Sequence, residues 1–267
     1  MDTELLLICA LTGVINLIGA LAYAARIAGV RTGRIALSFA LFNVLLLVSR
    51  TSNGFLGPFL AKRIETALAS GKGDMLLLDL RLVLAAAAIA VLLGILMVPT
   101  FQRLFAAAIT SFQHDRSTVR LLIKAVTPTG VGTIRRSIKL PTMATLRSMK
   151  GPRGVSWSVL AANAVAQGLL AVGVLAALYA GYLVPEFRVT ASQMTAIVNG
   201  FATILLFALI DPQISALTDD VVDGSVSEPT FRRAMIWVSL SRLAGTLAAQ
   251  VLLVPAAVVI AWAAGRL

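Results

Sequence analysis

A polytopic, all-α bundle of about six transmembrane helices is the fold this sequence predicts. Three observations predict it. Six apolar stretches reach the roughly 20 helical residues needed to cross a bilayer core. Charged residues are 13% of the chain, against about 25% in soluble domains. The hydrophobic share is 58% even without glycine, and mean hydropathy is +0.91. So little polar surface cannot cover a globule in water, so lipid must be part of the solvent. The whole chain, residues 1–267, reads as one integral membrane domain.

The first stretch runs from about Leu5 to Ala25. The acidic lead Met1-Asp2-Thr3-Glu4 lacks the positive n-region of a cleaved signal peptide, which predicts a retained anchor with its N-terminus outside. The second runs from about Ile35 to Leu60 and is interrupted by Arg50 and Asn53. The third covers about Leu80 to Val98, with Pro99 expected to end it. A basic stretch, 101–157, follows as the one long loop. Its first part sets Phe101, Leu104, Phe105, Ala108, Ile109 and Phe112 at helical spacing, which fits an interfacial helix or an extension of the third span. Pro128, Pro141 and Pro152 break any long helix in the rest. The fourth stretch spans about Val159 to Leu183, the fifth about Thr190 to Ile210, and the sixth about Met235 to Ala264 with Arg242 inside it. Small residues at four-residue spacing, Ala86, Ala90 and Gly94 in the third and Gly173, Ala177 and Gly181 in the fourth, predict close helix packing.

Orientation follows from the lysines and arginines between spans. With the N-terminus outside, inner loops hold Arg26, Arg31, Arg34, the ten basic residues from Arg103 to Arg153, and Arg232 and Arg233. Outer segments hold only Lys62, Arg63, Lys72, Arg188 and Arg266. That bias predicts that both termini lie outside. The net charge of +11 then reflects orientation and anionic headgroups, with no nucleic-acid partner implied. One cysteine, Cys9, rules out an internal disulfide, and one histidine, His114, leaves little room for histidine-based metal or acid–base chemistry. No phosphate-binding or dinucleotide glycine pattern occurs, so the chain carries no visible nucleotide engine of its own, and no cofactor is expected.

A charge in hydrocarbon costs about 2.5–3.5 kcal/mol on insertion scales, which singles out Arg50 and Arg242. Helical spacing puts Asn43, Arg50 and Gly54 on one face, and Arg242, Thr246 and Gln250 on another. If the second span ends near Val48, Arg50 instead snorkels to the outer interface. Asn16, Gly19, Tyr23 and Arg26 stripe the first helix, Asn163 and Gln167 pair in the fourth, and Thr195, Asn199 and Thr203 lead towards Asp211 in the fifth. So many polar faces predict a wet central cavity, with interhelical hydrogen bonding as the plainer reading. Asn43 and Asn199 occupy corresponding spans of a possible inverted repeat. The cluster Asp211, Asp219, Asp220 and Asp223 either holds a divalent cation, as in a phosphotransferase, or punctuates and caps helices.

Two blocks carry a resemblance. Residues 21–63 include Arg-Ile-Ala-Gly-Val-Arg-Thr-Gly, then Val-Ser-Arg-Thr-Ser-Asn and Gly-Pro. Residues 210–255 include Ile-Asp-Pro, Thr-Asp-Asp-Val, Phe-Arg-Arg and Arg-Leu-Ala-Gly-Thr-Leu-Ala-Ala-Gln. They resemble the N- and C-terminal regions of the Amj-type alternative lipid II flippases of bacteria. The resemblance implies movement of the undecaprenyl-diphosphate-linked peptidoglycan precursor, lipid II, to the outer leaflet of the cytoplasmic membrane, without an enzymatic step. It transfers no residue roles. On physical grounds, Arg26, Arg31 and Arg34 are expected to attract the diphosphate at the inner face, and Arg50, Asn53 and Arg242 to bind it within the membrane. Asp211, Asp219 and Asp220 are expected to hold those arginines when the site is empty, and Asn16, Tyr23, Asn43, Asn199, Thr246 and Gln250 to line the cavity. A membrane phosphatase or phosphotransferase acting on polyprenyl phosphates, and an envelope scaffold, are the alternatives.

Overall fold

The computed structural model describes residues 2–71, 75–117, 120, 121, 123, 127–139, 141 and 151–267. Every regular element among them is helical: α1 (Thr3–Thr32), α2 (Ile35–Ser70), α3 (Leu76–Asp115), α4 (Pro128–Ser137), α5 (Trp157–Leu183), a short 3-10 turn (Pro185–Phe187), α6 (Arg188–Gln193), α7 (Thr195–Leu205), a π-helical turn (Leu206–Ile210), α8 (Asp211–Val222) and α9 (Glu228–Ala264). Six helical runs are long and apolar enough to cross a membrane, with Pro185–Val222 counting as one broken run. The six-span bundle read from the sequence is the observed architecture.

Most helices outrun the apolar stretches that announced them. The second span was expected to stop near Leu60, but α2 continues to Ser70 and ends at Gly71, whose φ of 62° supplies the left-handed C-cap. Pro99 does not end α3, which runs on to Asp115. An internal proline removes one backbone hydrogen bond, and burial of Thr100, Gln102, Phe105 and Ile109 beyond it keeps the helix going. Residues 101–112 are therefore an extension of the third span and not a separate interfacial helix. Phe105 packs edge-on to Phe42 of α2, ring centroids 6.2 Å apart. The short helix in this loop is α4, started by Pro128 behind a Thr127 N-cap and showing Val131 and Ile134 exposed beside Arg135 and Arg136. Lys139, just after it, is tied to α3 through Thr100, whose hydroxyl donates to the Lys139 carbonyl (2.9 Å) and accepts from its N–H (3.0 Å).

The apolar core has two clusters along the bundle axis. One gathers Leu5, Ile8, Leu60, Leu76, Leu80 and Leu253; the other gathers Ile27, Phe42, Phe105, Ile109, Phe231 and Met235. Each end is closed by ion pairs. At the first end Arg63 of α2 meets Asp79 of α3 at 2.7 Å and Asp2, ahead of α1, at 3.0 Å. At the second end Arg26 of α1 meets Asp211 of α8 at 3.2 Å, and Arg31 meets Glu228 of α9 at 3.5 Å. The helices thus alternate in direction, and Arg26, Arg31, Arg34 and Arg116 share the second end.

Asp2 caps α1 by accepting the Leu5 N–H at 2.9 Å. That bond, and then the Arg63 guanidinium, hold its carboxyl below the ordinary aspartate range. A depressed carboxylate pKa contributes stability above the unfolded value, and this is lost as pH falls through the lower folded one. Asp2→Asn is therefore expected to melt below the wild type at neutral pH. The difference should close only below the ordinary aspartate value near 3.8, as read by melting in detergent over a pH series.

α5 and α9 are the closest pair. Gly168 faces the Gly245 carbonyl, and Asn163 donates its amide to the Val238 carbonyl (3.1 Å) and the Ser241 hydroxyl (2.7 Å). By contrast α2 rests on α1 and α7 rests on α5, while α2 and α7 barely touch each other.

Candidate functional site

Between α2 and α7 the bundle encloses a cavity of about 370 Å³, near the middle of the helices that wall it. α1 supplies Thr12 and Asn16; α2 supplies Ser49, Arg50 and Asn53; α5 supplies Gln167; α7 supplies Asn199; α9 supplies Arg242. Leucines and alanines of α3 and α5 complete the wall. Two guanidinium groups, four amides and two hydroxyls share the space. Among the described residues no carboxylate lines it.

Arg50 lies mid-helix, because α2 runs on well past Val48 to Ser70. Its outer side is exposed, as is that of Asn53, so the cavity opens on the gap between α2 and α7. Arg242 is seated differently. Its guanidinium lies across α1 where Gly19 has no side chain: a Cβ there would come within 3.0 Å of Arg242 Cζ and 3.1 Å of Nη1. Tyr23, only 8% exposed, sits beside it one helical turn further along. The Nε of Arg242 is buried without a partner, as are the Thr12 hydroxyl and the Asn199 Oδ1, which lies over Gly173. Buried polar atoms without partners are few in folded proteins, and Arg242 Nε and the Thr12 hydroxyl, both on residues of the cavity wall, are two donors left for a polar guest.

The structure separates the other candidates. Asn43 is exposed on α2 and does not line the cavity. Asn53, not Asn43, is the α2 amide that shares the cavity with Asn199, so the pairing suggested by an inverted repeat is not the one observed. Tyr23 stands behind Arg242. Thr246 bonds back to the Arg242 carbonyl (2.9 Å), and Gln250 donates to the Arg81 carbonyl (2.9 Å); neither lines the cavity. The aspartates do not hold Arg50 or Arg242. Asp211 holds Arg26, and Asp219 and Asp220 are exposed on α8 without an ion pair among the described residues. Arg31 pairs with Glu228, and Arg34, the N-cap residue of α2, is exposed in a second hollow with Arg116.

Sequence reasoning passed over Thr12 and Ser49 and left Gln167 out of the site. The signals were there: Thr12 precedes Asn16 by one turn, and Ser49 adjoins Arg50. It also missed the Arg63–Asp79–Asp2 cluster, where an arginine near one predicted end meets an acid from the next helix.

A family model described as "Alternate to MurJ", Amj, matches residues 11–264. This chain belongs to the Amj family. It is 34% identical over 263 residues to the "Lipid II flippase Amj" of Bacillus subtilis (strain 168), covering 97% of this chain and 96% of that protein. No solved structure matches it. The Amj match runs from within α1 to the last residue of α9, so every residue on the cavity lies inside it. The resemblance first carried by residues 21–63 and 210–255 thus extends over nearly the whole chain.

Proposed function

We propose that this protein moves lipid II from the inner to the outer leaflet of a bacterial cytoplasmic membrane, with both termini outside. The observation that carries the reading is the mid-bundle cavity holding two arginines and no carboxylate, within a chain of the Amj family. The excess of lysine and arginine at the Arg26 end supports the orientation.

In this reading Arg26, Arg31 and Arg34 gather the anionic headgroup at the inner face. Arg26 is held by Asp211, so a diphosphate that draws Arg26 away also loosens α1 from α8. Arg50 and Arg242 then receive the diphosphate. The guanidinium fork suits phosphate oxygens better than a point charge does. The prenyl tail stays in lipid, passing through the gap between α2 and α7. No new chemical bond forms.

The test is rescue. Expressed in a bacterium being depleted of its essential lipid II flippase, the protein is expected to restore growth and the exposure of precursor at the outer surface. An abundant, correctly inserted protein that restores neither overturns the proposal. The same assay examines the seat of Arg242. Gly19→Ala pushes the guanidinium out of its notch and is expected to lower exposure of precursor by about tenfold, the effect of losing one charged hydrogen bond. Gly13→Ala on the same helix meets only the Ala90 methyl at 4.0 Å and is expected to act as wild type.

A further inference from the structure

The cavity's charge and size define a substrate class. Among the described residues its two arginines share the lining with no carboxylate, while Asp211 and Asp79, at opposite ends of the bundle, are committed to Arg26 and Arg63. Two positive charges at mid-depth in a membrane bundle call for a guest that brings two negative ones. A diphosphate diester carries two. A phospholipid with a single phosphodiester, or a phosphodiester-linked sugar, brings one from that linkage. The volume of about 370 Å³ sits at the low end of the roughly 300–1,000 Å³ occupied by drug-sized ligands. It admits a diphosphate with a neighbouring sugar but not a disaccharide bearing a peptide.

We infer that the cavity reads its lipid by the two phosphate charges and not by the sugar–peptide cargo, so that the substrate class is polyprenyl diphosphate lipids with headgroups of differing size. This rests on the flippase reading above and narrows what is recognised. Arg242 Nε and the Thr12 hydroxyl, both buried and unpartnered, are the donors that the phosphate oxygens would satisfy. Arg50, exposed at the mouth, supplies the second charge.

The experiment measures binding and transbilayer movement separately, with the full chain reconstituted in vesicles of phosphatidylethanolamine and phosphatidylglycerol. Three probes are compared: lipid II, a polyprenyl diphosphate carrying a single sugar, and a polyprenyl monophosphate diester of the same sugar. The two diphosphates are expected to bind within about threefold of each other, and the monophosphate at least about tenfold more weakly, as expected for one lost charged contact. Arg50→Gln and Arg242→Gln are each expected to erase that preference. Because the comparison between lipids uses unaltered protein, it stands even if a variant fails to fold.

Equal binding of diphosphate and monophosphate overturns the inference, and so does a preference of tenfold or more for lipid II over the single-sugar diphosphate. The second result would leave the flippase reading intact. Binding of diphosphates without movement of any of them would count against the flippase reading while upholding the recognition rule.

Discussion

Arg50→Gln combined with Arg242→Gln is expected to reduce outer-surface lipid II to the level of cells lacking the protein, while leaving a bundle at least as stable as the wild type. The two parts of that result have separate causes. Each guanidinium offers charged hydrogen bonds to the diphosphate, worth about 1.5–3 kcal/mol apiece, or roughly 10- to 100-fold in affinity. Losing both removes most of the interaction available in a cavity that no other cation lines among the described residues. Stability moves the other way, because among the described residues neither charge has a carboxylate partner and the Nε of Arg242 has no hydrogen-bond partner. Removing an uncompensated charge from a membrane bundle relieves a desolvation cost. A melting temperature in detergent that holds or rises, with transport gone, separates loss of binding from misfolding. Transport within about twofold of wild type in an abundant double variant would show that the cavity does not carry the lipid.

Why the bundle was readable and the site only partly so comes down to which physical signals are local. Hydropathy is local, so six spans could be found from single stretches. Their ends were placed short because helices such as α2 and α3 continue beyond their apolar stretches, held by contacts such as Phe105 on Phe42 that no window of hydropathy contains. The cost of an arginine in hydrocarbon is also local, and it singled out Arg50 and Arg242, which the structure places on one cavity. Rotation of a helix about its axis is not local. Asn43 and Asn53 lie on the same helix and were equally plausible, but the packing of α2 on α1 turns Asn53 to the cavity and leaves Asn43 exposed. Asn163 and Gln167 share a stripe, yet the first is drawn to the Val238 carbonyl and the second lines the cavity. Partner choice is the least local of all. Asp211 was an open candidate for Arg242 and is found on Arg26, because α8 packs beside the C-terminal half of α1.

Gly245→Leu is expected to cost the fold more than any other single change considered for this protein. A Cβ at Gly245 would lie 2.9 Å from both the Ala164 carbonyl carbon and the Gly168 nitrogen, closer still to the carbonyl oxygen. These are backbone atoms of α5 and cannot turn aside as a flexible side chain can. The two helices must part, and everything set by their contact parts with them. Asn163 then loses its bonds to Val238 and Ser241, and the edge-on pair Trp157–Trp237, centroids 5.3 Å apart, is pulled open. Overpacking of a core typically costs about 1–3 kcal/mol. Here the obstruction is backbone against backbone, so the upper end or beyond is expected, read as a drop in melting temperature with an early change in tryptophan emission. Arg242, one turn away, should leave its notch over Gly19 at the same time, so binding of the diphosphate fails with the packing. Gly200→Ala supplies the contrast: no atom lies within 4 Å of a Cβ there, and replacing a helical glycine by alanine gains about 0.5–1 kcal/mol. If Gly245→Leu melted with Gly200→Ala, the close α5–α9 crossing would not be what holds the cavity's two halves together.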